Sequence, residues 1–461
     1  ISMASNELLN KTHPLKAMLA LTLPSMLAQF VNIFYGVVDK LFIANMQSES
    51  GLALAGVGIC APITTLITSF TYLICQGASP LFATRLGQKD YKDAQKIMAN
   101  SFLLLVIITL ILMIIFLVFK APLLYAFGAT ENNYQYASDY ITIYVLGTFF
   151  CLLSLGLNSF ITCQGKSTRA MLTVIIGALS NILLDYIFIF PLHMGVKGAA
   201  LATIISQAIS ALFAFSFLIS NKSVVKMTFN GYSLAYMKKI MVIGFCPFII
   251  TFTDSVILIV MNKMVSIYSS ANADLYLTIN SILLSFFTLI SMPFSGITLG
   301  GQPFLSYNYG ASNPKRVKQG FLYELMICYI YAVIMFIVSM FFSKYFIKLF
   351  ILTEAKETQV EILRLAPNII RWYCFGVILL PLQWCCVDSI VGLGHASRAI
   401  VFSLIRKGLT IIFTIAFPIF IGTKGCYLAE SVSDIISSTI TAVGFMLIFP
   451  KLLKIKVKQS A

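Results

Sequence analysis

The sequence predicts an all-α membrane protein in which twelve transmembrane helices form two pseudo-symmetric six-helix bundles. Three observations support this fold class: the composition, the number of apolar runs, and a repeat between the two halves of the chain. Of the 461 residues, 59% are hydrophobic and only 11% are charged, and the mean hydropathy is +0.91. These values lie far outside the range of soluble globular domains and indicate an integral membrane protein.

Apolar runs long enough to cross a bilayer recur along the whole chain. They predict twelve spans, at residues 15–45, 52–83, 94–120, 135–163, 168–190, 195–220, 237–268, 275–307, 316–345, 362–392, 396–420 and 423–450. The sequence therefore predicts an N-lobe at 1–220 with spans one to six, a cytoplasmic linker at 221–239, and a C-lobe at 240–461 with spans seven to twelve.

Ordered sequence matches relate the two halves at a nearly constant separation, which varies only between 223 and 229 residues. The matched pairs are Pro24 with Pro247, Asp39 with Asn262, Pro80 with Pro303, Gly165 with Gly394, and Gly195 with Gly422. Six spans is an even number, so both halves enter the membrane in the same sense, as a parallel repeat does. Two such bundles with a cleft between or within them suggest alternating access.

The basic residues are distributed unevenly along the chain. With the N-terminus inside, 22 of the 32 Lys and Arg residues, Arg406 and Lys407 among them, fall in the inner loops and seven in the outer loops. This positive-inside bias predicts that both termini are cytoplasmic. The net charge of +15 therefore reports topology, and we expect no nucleic-acid partner.

No pattern of catalytic or metal-ligating residues is visible. The ten cysteines lie in apolar runs without metal-ligand spacing, and the three histidines are scattered. They indicate packing residues rather than disulfides or a metal site. A membrane-embedded enzyme would need paired Asp-rich metal motifs or a His/Ser/Cys constellation, so we expect neither an enzyme nor a cofactor.

The first span carries a polar face. Gln29, Asn32, Gly36 and Asp39 return to one side at helical spacing, whereas the other faces are apolar. A carboxylate costs about 2.5 to 3.5 kcal/mol at the centre of a membrane helix. Asp39 is therefore expected to face protein or a water-filled cavity near a partner, and Gln29, Asn32 and Tyr35 are assigned to that cavity.

Further polar residues lie on the fourth, fifth and sixth spans. Tyr144 and Asn158 belong to a stripe that runs the length of the fourth span, and Asn181 and Asp185 share a face of the fifth. Two buried acids close together cannot easily both ionise, so Asp39 and Asp185 can share a proton. If both ionise, they supply with Asn181 and Thr203 only oxygen ligands, which suit Na⁺. The four residues are predicted to couple transport to H⁺ or Na⁺.

The acidic pair belongs to the first half alone. The positions that match Asp39, Asp185 and Thr203 in the second half are Asn262, Ile412 and Glu430. A pair that only stabilised the fold would have little reason to be so asymmetric.

The second half has isolated acids of its own. Asp254, Asp388, Glu430 and Asp434 are candidates to line a path for a cationic substrate, although Asp434 fits the end of a helix equally well.

Pro24 interrupts the first span and leaves a backbone carbonyl free, which makes a kink plausible there. Because Asp39 lies on the same helix, we hypothesise that protonation of Asp39 changes the bend. The hypothesis fails if the helix has one shape at low and high pH.

Several segments together resemble the multidrug and toxic compound extrusion (MATE) family, and the resemblance covers essentially the whole chain. They are residues 24–39, the segment GQKDYKDAQK at 87–96, and the run NILLDYIFI at 181–189 that continues into GVKGAALAT at 195–203. The resemblance implies twelve helices in two lobes and efflux of organic cations against inward H⁺ or Na⁺.

The resemblance also implies roles for individual residues. Asp39, Asn181, Asp185 and Thr203, with Tyr144 and Asn158 nearby, match the first-lobe cation site of the prokaryotic branch. Asp254 resembles an acidic position in helix 7 that another branch uses. Gln383 stands where that branch carries an aspartate in helix 10, which weakens a second-lobe mechanism.

The leading interpretation is a secondary antiporter for small lipophilic organic cations, a monomer in the lipid of a bacterial inner membrane. The alternative is a flippase or exporter of a lipid-linked saccharide or other amphiphile, which a cavity lined by basic residues would favour. The intramembrane charges are mostly acidic, with Lys40, Lys263 and Arg371 as exceptions, so the antiporter is preferred.

Overall fold

The computed structural model describes residues 3–44, 50–127, 129, 131–269, 273–350 and 356–454. In this part of the chain every regular element is helical. The α-helices are α1 Met3–Asn10, α2 Pro14–Ala44, α3 Ser50–Gly87, α4 Tyr91–Val118, α5 Lys120–Ala126, α6 Tyr134–Leu146, α7 Thr148–Cys163, α8 Ser167–Ile189, α9 Gly195–Ile219, α10 Leu234–Ser269, α11 Ala273–Gly310, α12 Pro314–Ile337, α13 Ser343–Phe350, α14 Lys356–Cys374, α15 Leu380–Gly392, α16 Ala396–Ile421 and α17 Thr423–Lys454.

Eleven stretches in the described ranges are long and apolar enough to cross a membrane. The pair formed by α6 and α7 makes a twelfth if it is counted as one span. A π-helical turn, Val338–Phe342, joins α12 to α13, and a 3-10 turn, Phe375–Leu379, joins α14 to α15. The predicted all-α membrane fold with twelve spans is confirmed.

The predicted fourth span is bent by 52° between α6 and α7. The break is at Gly147, where a Cβ atom would lie 2.2 Å from the side chain of Ile204 on α9. The polar stripe of this span is therefore divided between two helices, with Tyr144 on α6 and Asn158 on α7. The expectation of one stripe along the length of one helix is wrong in this respect.

Helix packing in the first half is duplicated in the second half. In the first half α2 packs on α8, α8 on α9, α3 on α4, and α7 on α9. The corresponding pairs in the second half are α10 with α16, α16 with α17, α11 with α12, and α15 with α17. This duplication is what the sequence repeat leads us to expect of two pseudo-symmetric bundles.

The halves meet where α2 packs on α11 and α3 packs on α10. A Cβ atom on Gly244 would lie 1.6 Å from the Leu73 carbonyl oxygen, and one on Gly310 would lie 2.1 Å from the Thr84 carbonyl oxygen. By contrast, a Cβ atom on Gly36, farther along α2, has no atom within 4 Å. The halves are thus in tight contact around Gly244 and Gly310, the region called the closed end below, and α2 faces open space beyond it.

The connection between the halves is fixed to the first half. Helix α10 begins at Leu234, so the last residues of the predicted linker 221–239 are helical. The side-chain oxygen of the buried Gln164 accepts hydrogen bonds from the backbone N–H of Val224, at 2.7 Å, and of its neighbour, at 3.2 Å. Buried Asn100 likewise binds the backbone at the C-terminal end of the connection. The lobe boundaries themselves stay a prediction.

Candidate functional site

A cavity of about 430 Å³ lies against the polar face of α2. It is bordered by helices of the first half and by α11 of the second half. Predicted cavity and ion-coupling residues that line it are Gln29, Asn32, Tyr35, Tyr144, Asn158 and Asn181. The structure thus gathers on one cavity residues from three separate predicted spans, the first, the fourth and the fifth.

Asp39, Asp185 and Asn181 lie together at the packing contact of α2 and α8. Asp185 is 0% exposed and Asn181 is 2% exposed, whereas Asp39 is partly buried. The Asp39 carboxyl and the Asn181 amide are the side chains that act most directly on the Asp185 carboxyl. Tyr140 of α6 is also within electrostatic reach of Asp39.

Asp185 and Asn181 have side-chain atoms without hydrogen-bond partners. Neither carboxyl oxygen of Asp185 and neither polar atom of the Asn181 amide has one, and no Lys, Arg or His of the described ranges forms an ion pair with Asp185. Buried polar groups are normally satisfied, and exceptions call for an explanation. Oxygen atoms without hydrogen-bond partners can bind a proton or a hard cation.

Thr203 is placed differently from the other three predicted ion-coupling residues. Its hydroxyl donates to the backbone carbonyl of Ala199 at 3.0 Å, within α9. Like Asp39 and Asp185, it does not line the cavity, to which only Asn181 of the four predicted ion-coupling residues contributes. A lone pair of the hydroxyl oxygen is what Thr203 can offer a cation.

A second cavity, of about 400 Å³, lies within the second half. It is lined by all four predicted cavity residues of that half, Asp254, Gln383, Asp388 and Glu430. Aromatic side chains complete its wall, namely Phe287, Tyr373 and Trp384. An apolar wall with a few polar groups is typical of a small-molecule site.

Two basic residues line the second cavity. Arg406 donates from Nη2 to Glu430 Oε1 at 2.9 Å and from Nε to Asp434 Oδ1 at 2.7 Å. Lys407 forms an ion pair with Asp254. Both basic residues are buried in α16.

The assignment of Arg406 and Lys407 to an inner loop is therefore wrong. The set of basic residues expected inside the membrane, Lys40, Lys263 and Arg371, is also wrong, because it leaves these two out. Lys40 belongs to that set, but its side chain lies outside the described part of the chain. Asp434 is 0% exposed and lies within α17, so the alternative that placed it at a helix end is also wrong.

Gln383 and Asp388 differ in how their polar atoms are used. Gln383 Nε2 donates to the Phe402 carbonyl at 3.4 Å, and its Oε1 accepts from the Thr441 hydroxyl at 2.6 Å. Both groups of Gln383 therefore hold helices together. Asp388 lies beside Thr298, and no ion pair to it is present in the described ranges.

Glu324 is a buried acid that is not among the predicted site residues. It lies on α12, is 0% exposed, and has no hydrogen-bond partner at either oxygen. A single glutamate inside the apolar run 316–345 was the available signal.

Helix α2 is continuous from Pro14 to Ala44, with Pro24 inside it. The Ser25 hydroxyl donates to the Leu21 carbonyl at 2.9 Å, one turn back along the helix. One shape of α2 is seen, so a hinge at Pro24 stays a prediction.

The MatE family model matches residues 24–187 and 247–416 of this chain. A multidrug export protein MepA from Staphylococcus haemolyticus is 30% identical over 307 residues, which are 66% of this chain and 66% of that protein. A multidrug export protein MepA from Staphylococcus aureus strain MSSA476 is 23% identical over 403 residues, 87% of this chain and 86% of that protein.

Solved structures show the same fold. A multidrug resistance MATE family transporter of the MOP superfamily in an outward-facing conformation superposes with a TM-score of 0.90 at 21% identity, over 98% of this chain and 99% of that one. A MOP superfamily transporter from Pyrococcus furiosus, described as having a binding pocket of reverse polarity, superposes with a TM-score of 0.91 at 22% identity, again over 98% and 99%. Because the family match covers well over half of the chain, this chain belongs to the MatE family of multi-pass membrane transporters, which are not enzymes.

Proposed function

We propose that this chain is a secondary active multidrug efflux antiporter that exports small lipophilic organic cations in exchange for H⁺ or Na⁺ by alternating access. The observation that carries the proposal is the set of unsatisfied oxygen atoms at Asp185 and Asn181, beside Asp39, next to a cavity of about 430 Å³. The MepA relatives, named as multidrug export proteins, support the substrate class.

The coupling ion acts by neutralising Asp39 and Asp185, called the first-half acids below. An inward H⁺ or Na⁺ that binds at Asp39 and Asp185 weakens the attraction of these acids for a cationic substrate and favours its release outside. Each charge that crosses with the membrane potential supplies about 2.3 kcal/mol per 100 mV. No other cofactor is required by this scheme.

The contacts between the halves support alternating access. If the positive-inside bias sets the topology, both termini are cytoplasmic and the closed end, around Gly244 and Gly310, faces the cytoplasm. The open space beside Gly36 then faces outward. We assign the protein to a bacterial plasma membrane, where it acts as a monomer in lipid without a nucleic-acid partner.

An exporter of a lipid-linked saccharide or other amphiphile is the second candidate. Arg406 and Lys407 on the second cavity favour it, since anionic headgroups attract basic residues. The ion pairs with Glu430, Asp434 and Asp254 offset both positive charges, however. The antiporter therefore remains the preferred function.

Transport in proteoliposomes under separately imposed Na⁺ and H⁺ gradients tests the proposal. The parent protein is expected to move a cationic dye with one of the two gradients, and Asp39→Asn and Asp185→Asn are expected to lose this driven transport. Asp139→Asn is the matched control, because it also removes an acid of the first half, but one that forms an ion pair with Lys197. If Asp39→Asn and Asp185→Asn both pump the dye as well as the parent does, the assignment is wrong. Dye transport that is absent in every protein, together with movement of a fluorescent lipid, would favour the second candidate.

A further inference from the structure

Glu324 is a buried acid that the proposed ion-coupling site does not use. It lies on α12, in the second half, and is 0% exposed. Neither of its oxygens has a hydrogen-bond partner, and it forms no ion pair within the described ranges. A carboxyl in such surroundings needs a physical account.

The surroundings of Glu324 contain no positive charge in the described part of the chain. A Cβ atom on Gly301 of α11 would lie 2.9 Å from Glu324 Oε2 and 2.7 Å from Met18 Cε of α2. Neither Gly301 of α11 nor Met18 of α2 has a titratable side chain. The titratable groups that face Glu324 are Cys328 on its own helix and, on α15, Asp388, Cys385 and Cys386.

These surroundings disfavour the ionised form of Glu324. An ion buried without a partner costs several kcal/mol, even after the protein relaxes. Buried carboxyls avoid this cost by holding a proton. Asp388 adds to the effect when it is ionised, because its negative charge opposes a second one on Glu324.

Glu324 lies next to the contact between the two halves. Helix α2 of the first half packs on both α11 and α12. The Met18 side chain of α2 and the glutamate carboxyl both border the point where a Cβ atom on Gly301 would lie, at 2.7 and 2.9 Å, so Met18 covers the carboxyl from the side of α2. Any movement that separates α2 from α11 removes this cover and lets water approach Glu324. Hydration lowers the cost of ionisation, so the acid can then release its proton.

We propose that Glu324 is a second proton-binding site, which holds a proton while the closed end is closed and releases it when that end opens. The inference rests on the proposed alternating access, but it concerns a different residue from the first-half ion site. Because the closed form binds more protons than the open form, lowering the pH favours closure and raising it favours opening.

Infrared spectroscopy tests whether Glu324 holds a proton. The measurement uses the carbonyl stretching band of protonated carboxylic acids in full-length protein that carries Asp185→Asn, so that it does not depend on transport. Glu324→Gln in this background is expected to remove one such band at neutral pH. An unchanged band would overturn the proposal, whatever the transport assays give.

Spin labels test whether this proton is coupled to closure. Lys92→Cys and Lys315→Cys place labels on the exposed first turns of α4 and α12, and all ten native cysteines are buried. Raising the pH is expected to lengthen the label distance in the parent and to have a much weaker effect in Glu324→Gln, which cannot ionise. Glu324→Met is expected to behave like Glu324→Gln, so a folding defect of one variant would be recognised. Equal pH responses of the parent and both variants would overturn the coupling.

Discussion

In the first half of the chain Asp185 is fully buried, with no protein cation against it in the described ranges, and the amide beside it at Asn181 is also unsatisfied. In the second half Glu430 and Asp434 are also buried, but Arg406 binds both at 2.7 to 2.9 Å. The packing of helices is duplicated, whereas the balance of charge is not.

This difference separates two uses of a buried acid. An acid that holds a protein cation is committed to that partner, since removing one member leaves an unpaired buried charge. An acid without such a partner is available to an exchangeable proton or ion. Arg406, Glu430 and Asp434 form what we call the second-half cluster. We therefore expect substitutions in this cluster to change stability strongly. Substitutions at Asp185 should change transport instead.

The largest loss of stability is expected from Arg406→Met. It leaves Glu430 and Asp434 buried without their cation, and breaking a buried ion pair in this way costs about 3 to 5 kcal/mol. Thermal unfolding of the purified protein measures the loss. Adding Glu430→Gln and Asp434→Asn should recover most of it, and unchanged unfolding of Arg406→Met would contradict a structural role for the cluster.

A smaller loss is expected from Asp434→Asn. The substitution keeps the Arg406 pair with Glu430 and weakens one hydrogen bond between charged groups, a contribution of about 1.5 to 3 kcal/mol. The same unfolding measurement checks this value, with Asp139→Asn as the control for an acid at a more exposed pair. A loss as large as that of Arg406→Met would mean that Glu430 contributes little.

Lys407→Gln is expected to lower stability by about 1 kcal/mol, the upper end of the range for exposed ion pairs, because only Lys407 of this pair is buried. Its partner Asp254 has a side chain that is 56% exposed, so water can solvate the freed carboxylate. The second cavity then gains a free negative charge, and binding of a cationic dye should tighten severalfold in a fluorescence titration. Lys424→Gln, which removes a cation over Trp372 outside this cavity, is the control. Weaker dye binding by Lys407→Gln would exclude Asp254 as a substrate contact.

The smallest effect on stability is expected from Asp185→Asn, since the amide has nearly the same shape and no ion pair is broken. Ion-driven transport should nevertheless be lost, so Asp185→Asn should combine an unfolding temperature close to that of the parent with the loss of transport in the proteoliposome assay. A marked fall in the unfolding temperature of Asp185→Asn would indicate that Asp185 has a structural role, as Glu430 and Asp434 do.

Much of the fold and part of the candidate site could be predicted from the sequence. The apolar runs specify where helices cross the membrane, because a bilayer allows few other ways to satisfy the backbone. Helical spacing placed Asp39 on a polar face of the first span and Asn181 with Asp185 on one face of the fifth, and the resemblance to the family matched the same residues. These three side chains do lie together in the structure.

Pairing inside the second cavity could not be predicted in this way. In the sequence, Arg406 and Lys407 come shortly after an inner loop, so they were counted with the basic residues of that loop. Their depth and the directions in which they point depend on how α16 packs against α10 and α17. Glu324 illustrates the same limit, because its isolation depends on the helices that cover it.

The sequence by itself therefore determined the membrane fold, the number of spans and the repeat, since all three follow from hydrophobicity and spacing along the chain. Only the tertiary structure decided which acids have a cation, where the fourth span bends, and at which end the halves touch. These features depend on distances between residues far apart in the chain, and the energy of a buried charge is set by the groups that surround it.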